Sequence, residues 1–456
     1  MKKWIKEYLR EKIRLYLKYR HPSQLLPPTT WGLAYADSQL NLHGVALNTL
    51  LDEYGSPLHV ADAARLQANL NGFQLGGKCL VYYSYKTNPV PGLLAYLHQL
   101  GAGAEVISEY ELWLARSLGV PPSKIIFNGP AKSDAALHWA IENEIHAIHV
   151  NHLEELGRIS EIAQKLNKIA RIGLRVTHSG WQAQFGLSLH NNIALDALAS
   201  ALKTPHVRVV SLHCHRGFAI RDESDLTAHL NPLFHFCEAA YQQHNWLPEI
   251  LDIGGSLAIP SVYTLSTKEA QRAWTFFHPP AAPNLEKTLS PQRYAQQAHA
   301  SILNFFNEKR WPLPEIALEP GRALTGNAQM LLTRAIEIRK DHPASNIVLD
   351  AGISVARSAR DDFHQLFPLQ EQHTQPSLYR LVGPICHPGD VLYPAWQLPP
   401  VEIGNGFAIM DSGAYFTSDA SSFSFPQPGV AIVQPDGSHR LWRRTQGFED
   451  MKSLDT

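Results

Sequence analysis

The chain has 456 residues, enough to bury one large core and a second, smaller one. Its 40 Lys and Arg against 41 Asp and Glu give a formal net charge of -1 with neutral histidines, and basic residues mass only at the N-terminus, so nucleic acid is excluded as the expected partner. Cys79, Cys214, Cys237 and Cys386 stand far apart without a CxxC pair, which argues against a disulfide framework or zinc knuckle; no metal is expected, and a reducing cytoplasm is.

Residues 1–26 read as a basic helix with apolar positions at Trp4, Ile5, Leu9, Ile13, Tyr16 and Leu17, running to Tyr19-Arg20-His21-Pro22. Charges interrupt it throughout, so it is neither a signal peptide nor a transmembrane span. Such a helix can lie on an anionic membrane, contact a partner or carrier protein, or pack on its own chain or a second copy. Residues 27–57 are mixed, ending in the turn Tyr54-Gly55-Ser56-Pro57, and are expected to join a β domain.

From residue 58 to 321 short apolar runs alternate with helix-like stretches. The runs lie around Leu80–Ser84, Gly103–Ile107, Ile125–Asn128, Ala147–Val150, Ile172–Val176, Val207–Cys214, Ile250–Ile253 and Ile316–Glu319. Helices are predicted between them, for example Pro91 to Gln99 closed by Gly101, Glu109 to Leu118 closed by Gly119, and Leu153 to Lys165. That strand count is the count of a closed parallel (β/α)8 barrel. A doubly wound open sheet competes, but no glycine fingerprint opens its first turn. The connection Ser256 to Glu315 is long enough to be a functional insertion. Residues 322–456 switch to shorter alternating runs, such as Met330–Ala335, Phe407–Met410 and Gly429–Val433, and predict an antiparallel β domain.

In such a barrel the chemistry gathers at the C-terminal strand ends. There the sequence places Lys86, Glu105, Asn128, Arg175, His213 and His215, Gly254-Gly255, and Glu319-Pro320-Gly321-Arg322. Singly, each has an ordinary reading: a surface lysine, a packed histidine, a glycine turn. Together, an amine able to form a Schiff base, glycines whose backbone can approach a phosphate, an imidazole, an arginine and a carboxylate describe a pyridoxal 5'-phosphate (PLP) site.

The order of motifs resembles the fold-type III PLP-dependent decarboxylases, which include the diaminopimelate, ornithine, arginine and D-ornithine/D-lysine enzymes. The matching stretches are Tyr83-Ser84-Tyr85-Lys86-Thr87-Asn88, Gly103–Ser108 with Glu111, Ile126–Lys132, Leu212-His213-Cys214-His215-Arg216-Gly217, Leu251–Gly255, Glu319–Arg322, Gly383-Pro384-Ile385-Cys386 with Asp390, and Asp411–Tyr415. The tail Leu441–Arg444 through Met451 looks closest to the D-ornithine/D-lysine branch. The resemblance implies an α/β fold, an alanine racemase-like PLP-binding TIM barrel over residues 58–321, followed by the β domain over 322–456. It implies that Lys86 carries the cofactor, Glu319 faces the pyridine nitrogen, His215 stacks on the ring and Glu105 lies near it. Gly254 and Gly255 would bind the phosphate, with Arg322 and Tyr415 adding donors there and toward the substrate. Cys386 resembles the cysteine a partner subunit inserts to protonate the carbon that loses carbon dioxide, which makes the expected assembly a homodimer with shared sites.

The expected activity is removal of the α-carboxylate from an amino acid or conjugated amino acid, in siderophore or other specialised biosynthesis. Racemases of the same fold place an arginine at the ring nitrogen, so Glu319 disfavours that alternative; a non-catalytic regulatory relative is disfavoured by the presence of Lys86, Glu319 and Cys386 together. Departures from the pattern bear on the substrate. His387 stands where relatives acting on diamines carry an acidic residue, and imidazole is a poor partner for an ammonium. Phe218 replaces a phosphate-side serine, Ser256 a third glycine, and Gln184 a basic residue. Arg357 is the position assigned to the substrate carboxylate, with Arg360 nearby.

Overall fold

The structure, a computed structural model, describes residues 2–20, 25–178, 184–217, 219–340 and 345–453, with the side chains of 2, 3 and 14–20 excepted. His21, Pro22, Phe218 and the side chains of Tyr16 and Leu17 lie outside the described residues. Two compact units divide the chain: Leu66–Ala258 with Glu286–Leu324, and Met1–Arg65 with Ile259–Leu285 and Thr325–Thr456.

The first unit is built on the strands that the periodicity marks. They are β1 (Cys79–Ser84), β2 (Gly103–Val106), β3 (Ile125–Phe127), β4 (Ala147–Val150), β5 (Ala170–Thr177), β6 (Val207–Cys214), β7 (Ile250–Asp252) and β8 (Glu315–Leu318). Each pairs in parallel with the next, and β8 pairs with β1, so the sheet closes into the expected barrel. Strands covered on both faces need near-continuous apolar runs. Here Tyr82, Ile126, Ala147, Val210, Ile250 and Ala317 pack together inside, each contributing about 1.5–3 kcal/mol of burial if large and less if alanine. Local signals set the helices as well. Pro91–Gln99 opens on its proline and stops before Gly101 at φ 102, and Ser108 caps Glu109–Ser117 by accepting from Glu111 N–H. Register brings the strand ends level: Ser84 stands opposite Glu105, and His213 stands between Arg175 and Asp252.

The second unit corrects two expectations. Leu58–Asp62, placed by the sequence at the start of the barrel, instead pairs antiparallel with Gln329–Arg339 and parallel with Gly429–Val433. Its sheet is mixed rather than antiparallel, because Ser345–Leu349 and Ser377–Val382 also run parallel. A two-residue period marks a strand but carries no direction, and the neighbours of Leu58–Asp62 come from the far end of the chain. The long connection divides too. Phe363 N–H donates to Tyr263 O at 2.8 Å, Leu265 N–H to Asp361 O at 3.0 Å, and Ser261 Oγ–H to Asp411 Oδ1 at 2.8 Å, tying 259–285 to this unit. Residues 286–315 return to the barrel unit, where Pro291–Glu308 is one of its helices.

The predicted N-terminal helix is Lys2–Arg20, and it lies against the helix Thr267–Phe276 of the same unit. Trp4 and Tyr8 stack at 5.9 Å and remain exposed. No helix among the described residues is long and apolar enough to cross a membrane.

His59, on Leu58–Asp62, is fully buried and faces Gln329 Nε2 at 3.2 Å. Burial, aided by the charge of Arg443, pushes its pKa down to about 3. Between the ordinary value near 6.5 and that value only the unfolded chain takes the proton, so acidification costs stability by about 1.4 kcal/mol per pH unit from this group. Thermal melts at pH 7 and pH 5 should therefore converge more closely for His59→Gln than for the parent. Equal pH slopes in the two proteins would assign the acid loss elsewhere.

Candidate active site

Lys86 follows β1 directly, in the 3-10 turn Tyr85–Thr87, and is half-buried. The turn is pinned where the strand ends, since Ser84 N–H donates to Pro320 O at 3.4 Å and Asn88 N–H to Tyr85 O at 3.1 Å. Glu105 on β2 is buried, and its Oε2 accepts from Ser84 Oγ–H at 2.5 Å. Its Oε1 is buried with no hydrogen-bond partner among the described residues. Burial raises the Glu105 pKa, Lys86 opposes that rise, and Glu319 reinforces it.

Glu319, just past β8, stands at the end of a chain of buried polar groups. Asn128 Nδ2–H donates to Glu319 Oε1 at 2.5 Å, His149 Nδ1 bonds Asn128 Oδ1, and His149 Nε2 faces Ser211 Oγ at 3.0 Å. An amide that donates through nitrogen must accept through oxygen, so His149 carries its proton on Nδ1 and accepts from Ser211. His213 stacks on His149 with ring centroids 4.7 Å apart, and its Nε2 lies 3.3 Å from Glu319 Oε2. Asp252 is the second carboxyl of this interior; burial and then repulsion from Glu319 raise its pKa well above the usual range. For Glu319, burial alone would raise the pKa, but His213, the Asp252 hydroxyl and His149 outweigh it and hold it well below. Of the two carboxyls, Asp252 keeps the proton and Glu319 the charge.

His215, one residue past β6, is half-buried; burial and the charge of Lys86 push its pKa down to about 3, so the ring is neutral. Gly255 N–H donates to its Nδ1 at 3.3 Å, and its Nε2 faces Ser256 Oγ at 3.1 Å. Gly254 differs from expectation: its N–H turns inward to Asp252 Oδ1 at 2.9 Å, because φ 68 reverses the chain there. The pair still has to be glycine, since a β-carbon on Gly255 would lie 2.3 Å from Glu319 O. Arg322, half-buried, opens the short helix Arg322–Thr325.

Lys86, Glu105, His215, Gly254, Gly255, Glu319 and Arg322 thus belong to one unit, whereas Arg357, Cys386, His387 and Tyr415 belong to the other. Arg357 is exposed between two short helices, and Cys386 and His387 are exposed on the loop before Val391–Leu398. Asp390 shapes that loop by accepting from Ile353 N–H at 2.7 Å and Ile385 N–H at 3.0 Å. Tyr415 sits at φ 68, a strained conformation for a bulky residue. His149, Ser211 and the proton on Asp252 were not anticipated. The available signal was a histidine inside the otherwise apolar run Ala147-Ile148-His149-Val150, where a buried polar group requires partners.

These residues fit PLP: a lysine amine and an ionised carboxylate share one rim, a buried Glu105 oxygen is unpartnered among the described residues, and the glycine pair leaves backbone where a side chain would collide. A family model described as the pyridoxal-binding domain of pyridoxal-dependent decarboxylases matches residues 63–326. Diaminopimelate decarboxylase of Aquifex aeolicus is 29% identical over 433 residues, covering 91% of this chain and 96% of that protein. The enzyme of that name from Methanocaldococcus jannaschii is 26% identical over 443 residues, 92% of this chain and 95% of the other. Its crystal structure superposes with a TM-score of 0.81 at 25% identity, covering 93% of this chain and 97% of that one, and a second structure of it contains L-lysine. With more than half of its length matched by that family and its barrel rim furnished as described, the chain belongs to the fold-type III PLP-dependent decarboxylases.

Proposed function

We propose that this PLP-dependent amino-acid decarboxylase acts on a substrate whose far end presents a hydrogen-bond acceptor, a carboxylate or amide, rather than a bare ammonium. The observation that carries this is His387. Its Nδ1 accepts from Gly389 N–H at 3.0 Å, which leaves the ring proton on Nε2, a donor on an exposed side chain. A donor there suits an acceptor group and gives an ammonium nothing to bind. The second reading is diaminopimelate itself, the substrate named for the relatives, whose far end carries a carboxylate as well as an amine. A mass-spectrometric panel separates them: diaminopimelate, lysine, both ornithine enantiomers, and citrate- or carrier-linked amino acids, each followed for loss of carbon dioxide. Turnover of a conjugated or acidic amino acid at a kcat/KM at least about tenfold above lysine and ornithine is expected, a difference of about 1.4 kcal/mol. Efficient turnover of ornithine or lysine would remove the role given to His387.

PLP, when bound, supplies the electron sink for the pair released as the α-carboxylate leaves. Lys86 would hold it through its amine, which also fixes its position for each turnover. Glu319 would keep a negative charge at the ring nitrogen, and the neutral His215 would lie on the ring face. Gly255, whose N–H would exchange His215 Nδ1 for a phosphate oxygen, would serve the phosphate with Arg322 and Tyr415; Arg322, Tyr415 and Arg357 are the candidates for substrate contacts. The partner subunit's Cys386 would deliver the proton to the decarboxylated carbon, which makes the homodimer the working form. The wide spacing of the four cysteines, with no CxxC pair, supports a reducing cytoplasm as its workplace.

Asn128 is a positioning residue in this scheme, because it acts on Glu319 and not on substrate. Asn128→Ala leaves Glu319 Oε1 and His149 Nδ1 without their shared partner. The expected result is a fall in kcat of about ten- to a hundredfold with KM little changed, and an acid limb of the kcat profile moved upward as Glu319 becomes easier to protonate. An unmoved limb would reduce Asn128 to a packing residue.

A further inference from the structure

Away from the rim contacts, three groups from separate elements converge: His178, which follows β5, Cys214, the last residue of β6, and His229 on the helix Glu223–His244. One ring nitrogen of each histidine and Cys214 Sγ all lie within 4.8 Å of one another. Cys214 and His229 are fully buried, and His178 is half-buried. His229 Nε2 lies 2.9 Å from Ile253 O; a carbonyl only accepts, so Nε2 carries the proton and Nδ1 is a bare lone pair. Neither His229 Nδ1 nor His178 Nε2 has a hydrogen-bond partner among the described residues, although both atoms are buried. Native interiors leave such atoms unpaired only rarely, and the single weak proton of a thiol cannot serve both.

We propose that His178 Nε2, Cys214 Sγ and His229 Nδ1 form a binding site for a zinc ion, separate from the PLP site. Two imidazoles and a thiolate are a donor set that zinc favours, with a water in the fourth position. The bond from His229 Nε2–H to Ile253 O is the outer contact that aims Nδ1 inward. Zinc–nitrogen bonds of about 2.0–2.1 Å and a zinc–sulfur bond of about 2.3 Å bring ligand atoms to about 3.5 Å from one another, so from within 4.8 Å the three side chains would have to close by at most about 1.3 Å. Binding forms three metal bonds and releases the Cys214 thiol proton to solvent, without any change of oxidation state. Arg216, the nearby cation, is paired with Asp225 at 2.9 Å. Alternation along β6 puts Cys214 on the face opposite His213 and His215, so the ion would fasten the strand end from its helix side.

The test takes the PLP-loaded enzyme, dialyses it against a chelator, adds zinc sulfate and desalts. Wild type is expected to retain one zinc per chain, Cys214→Ala and His229→Phe to retain none, and Cys386→Ser to retain as much as wild type. X-ray absorption at the zinc edge of the wild-type enzyme is expected to show one sulfur at about 2.3 Å and two nitrogens at about 2.0–2.1 Å. No retained zinc in wild type, a shell without sulfur, undiminished retention in Cys214→Ala, or loss in Cys386→Ser would each overturn the assignment. The absorption spectrum needs no variant, so a misfolded substitution leaves the test intact.

Discussion

Lys86→Ala is expected to lower decarboxylation at least about a thousandfold and to yield a protein from which borohydride no longer produces a covalent PLP adduct. The expectation follows from where the amine stands. Lys86 is half-buried on a turn fixed by Ser84 and Asn88, it lies close enough to Glu105 to oppose the rise in its pKa, and it faces the same rim as Glu319. A replacement amine from solution would have to be held without that turn, at a large entropic cost. The same variant tests the shared site. Lys86→Ala and Cys386→Ala chains, each inactive alone, should regain roughly a quarter of wild-type activity when mixed and allowed to exchange, because half of the random dimers carry one intact site of two. A wild-type-like Lys86→Ala would end the functional assignment; a mixture that stays inactive would end the shared-site dimer while leaving the assignment of Lys86 standing.

Glu319→Gln is expected to cost about a hundred- to a thousandfold in kcat, the scale seen when a fixed charge or donor is removed from a developing charge. The surroundings explain why the amide cannot substitute. Asn128 Nδ2–H and the Asp252 hydroxyl are both aimed at a carboxylate, and glutamine would set an N–H donor against one of them. It would also remove the charge that keeps Asp252 protonated, since repulsion from Glu319 is one of the two main causes of that raised pKa. Asp252 should therefore ionise more readily in Glu319→Gln, and the loss in kcat should be partly offset at higher pH. A variant with wild-type kcat and an unaltered pH profile would show that Glu319 is not the acid at the cofactor.

Much of the barrel was legible from residue order. Each buried strand wrote itself as a short apolar run, and Pro91, Gly101 and Gly119 punctuated the helices as their backbone chemistry requires. The rim residues were legible for the same reason: polar groups such as Lys86, Glu105 and His215 at the ends of apolar strands have no role in packing. Leu58–Asp62 was misplaced because its own pattern, buried at every position, suits a barrel strand as well as the centre of a mixed sheet.

The sequence by itself determined which apolar runs are buried and where the barrel's strands lie, since period and punctuation are local properties of a chain. Only the tertiary structure decided who meets whom. It joined Leu58–Asp62 to Gly429–Val433, set Asn128 and His149 in line with Glu319, and gathered His178, Cys214 and His229 around one point. Those encounters are between residues distant along the chain, and they depend on the closure of the barrel and on strand register, which no local pattern encodes.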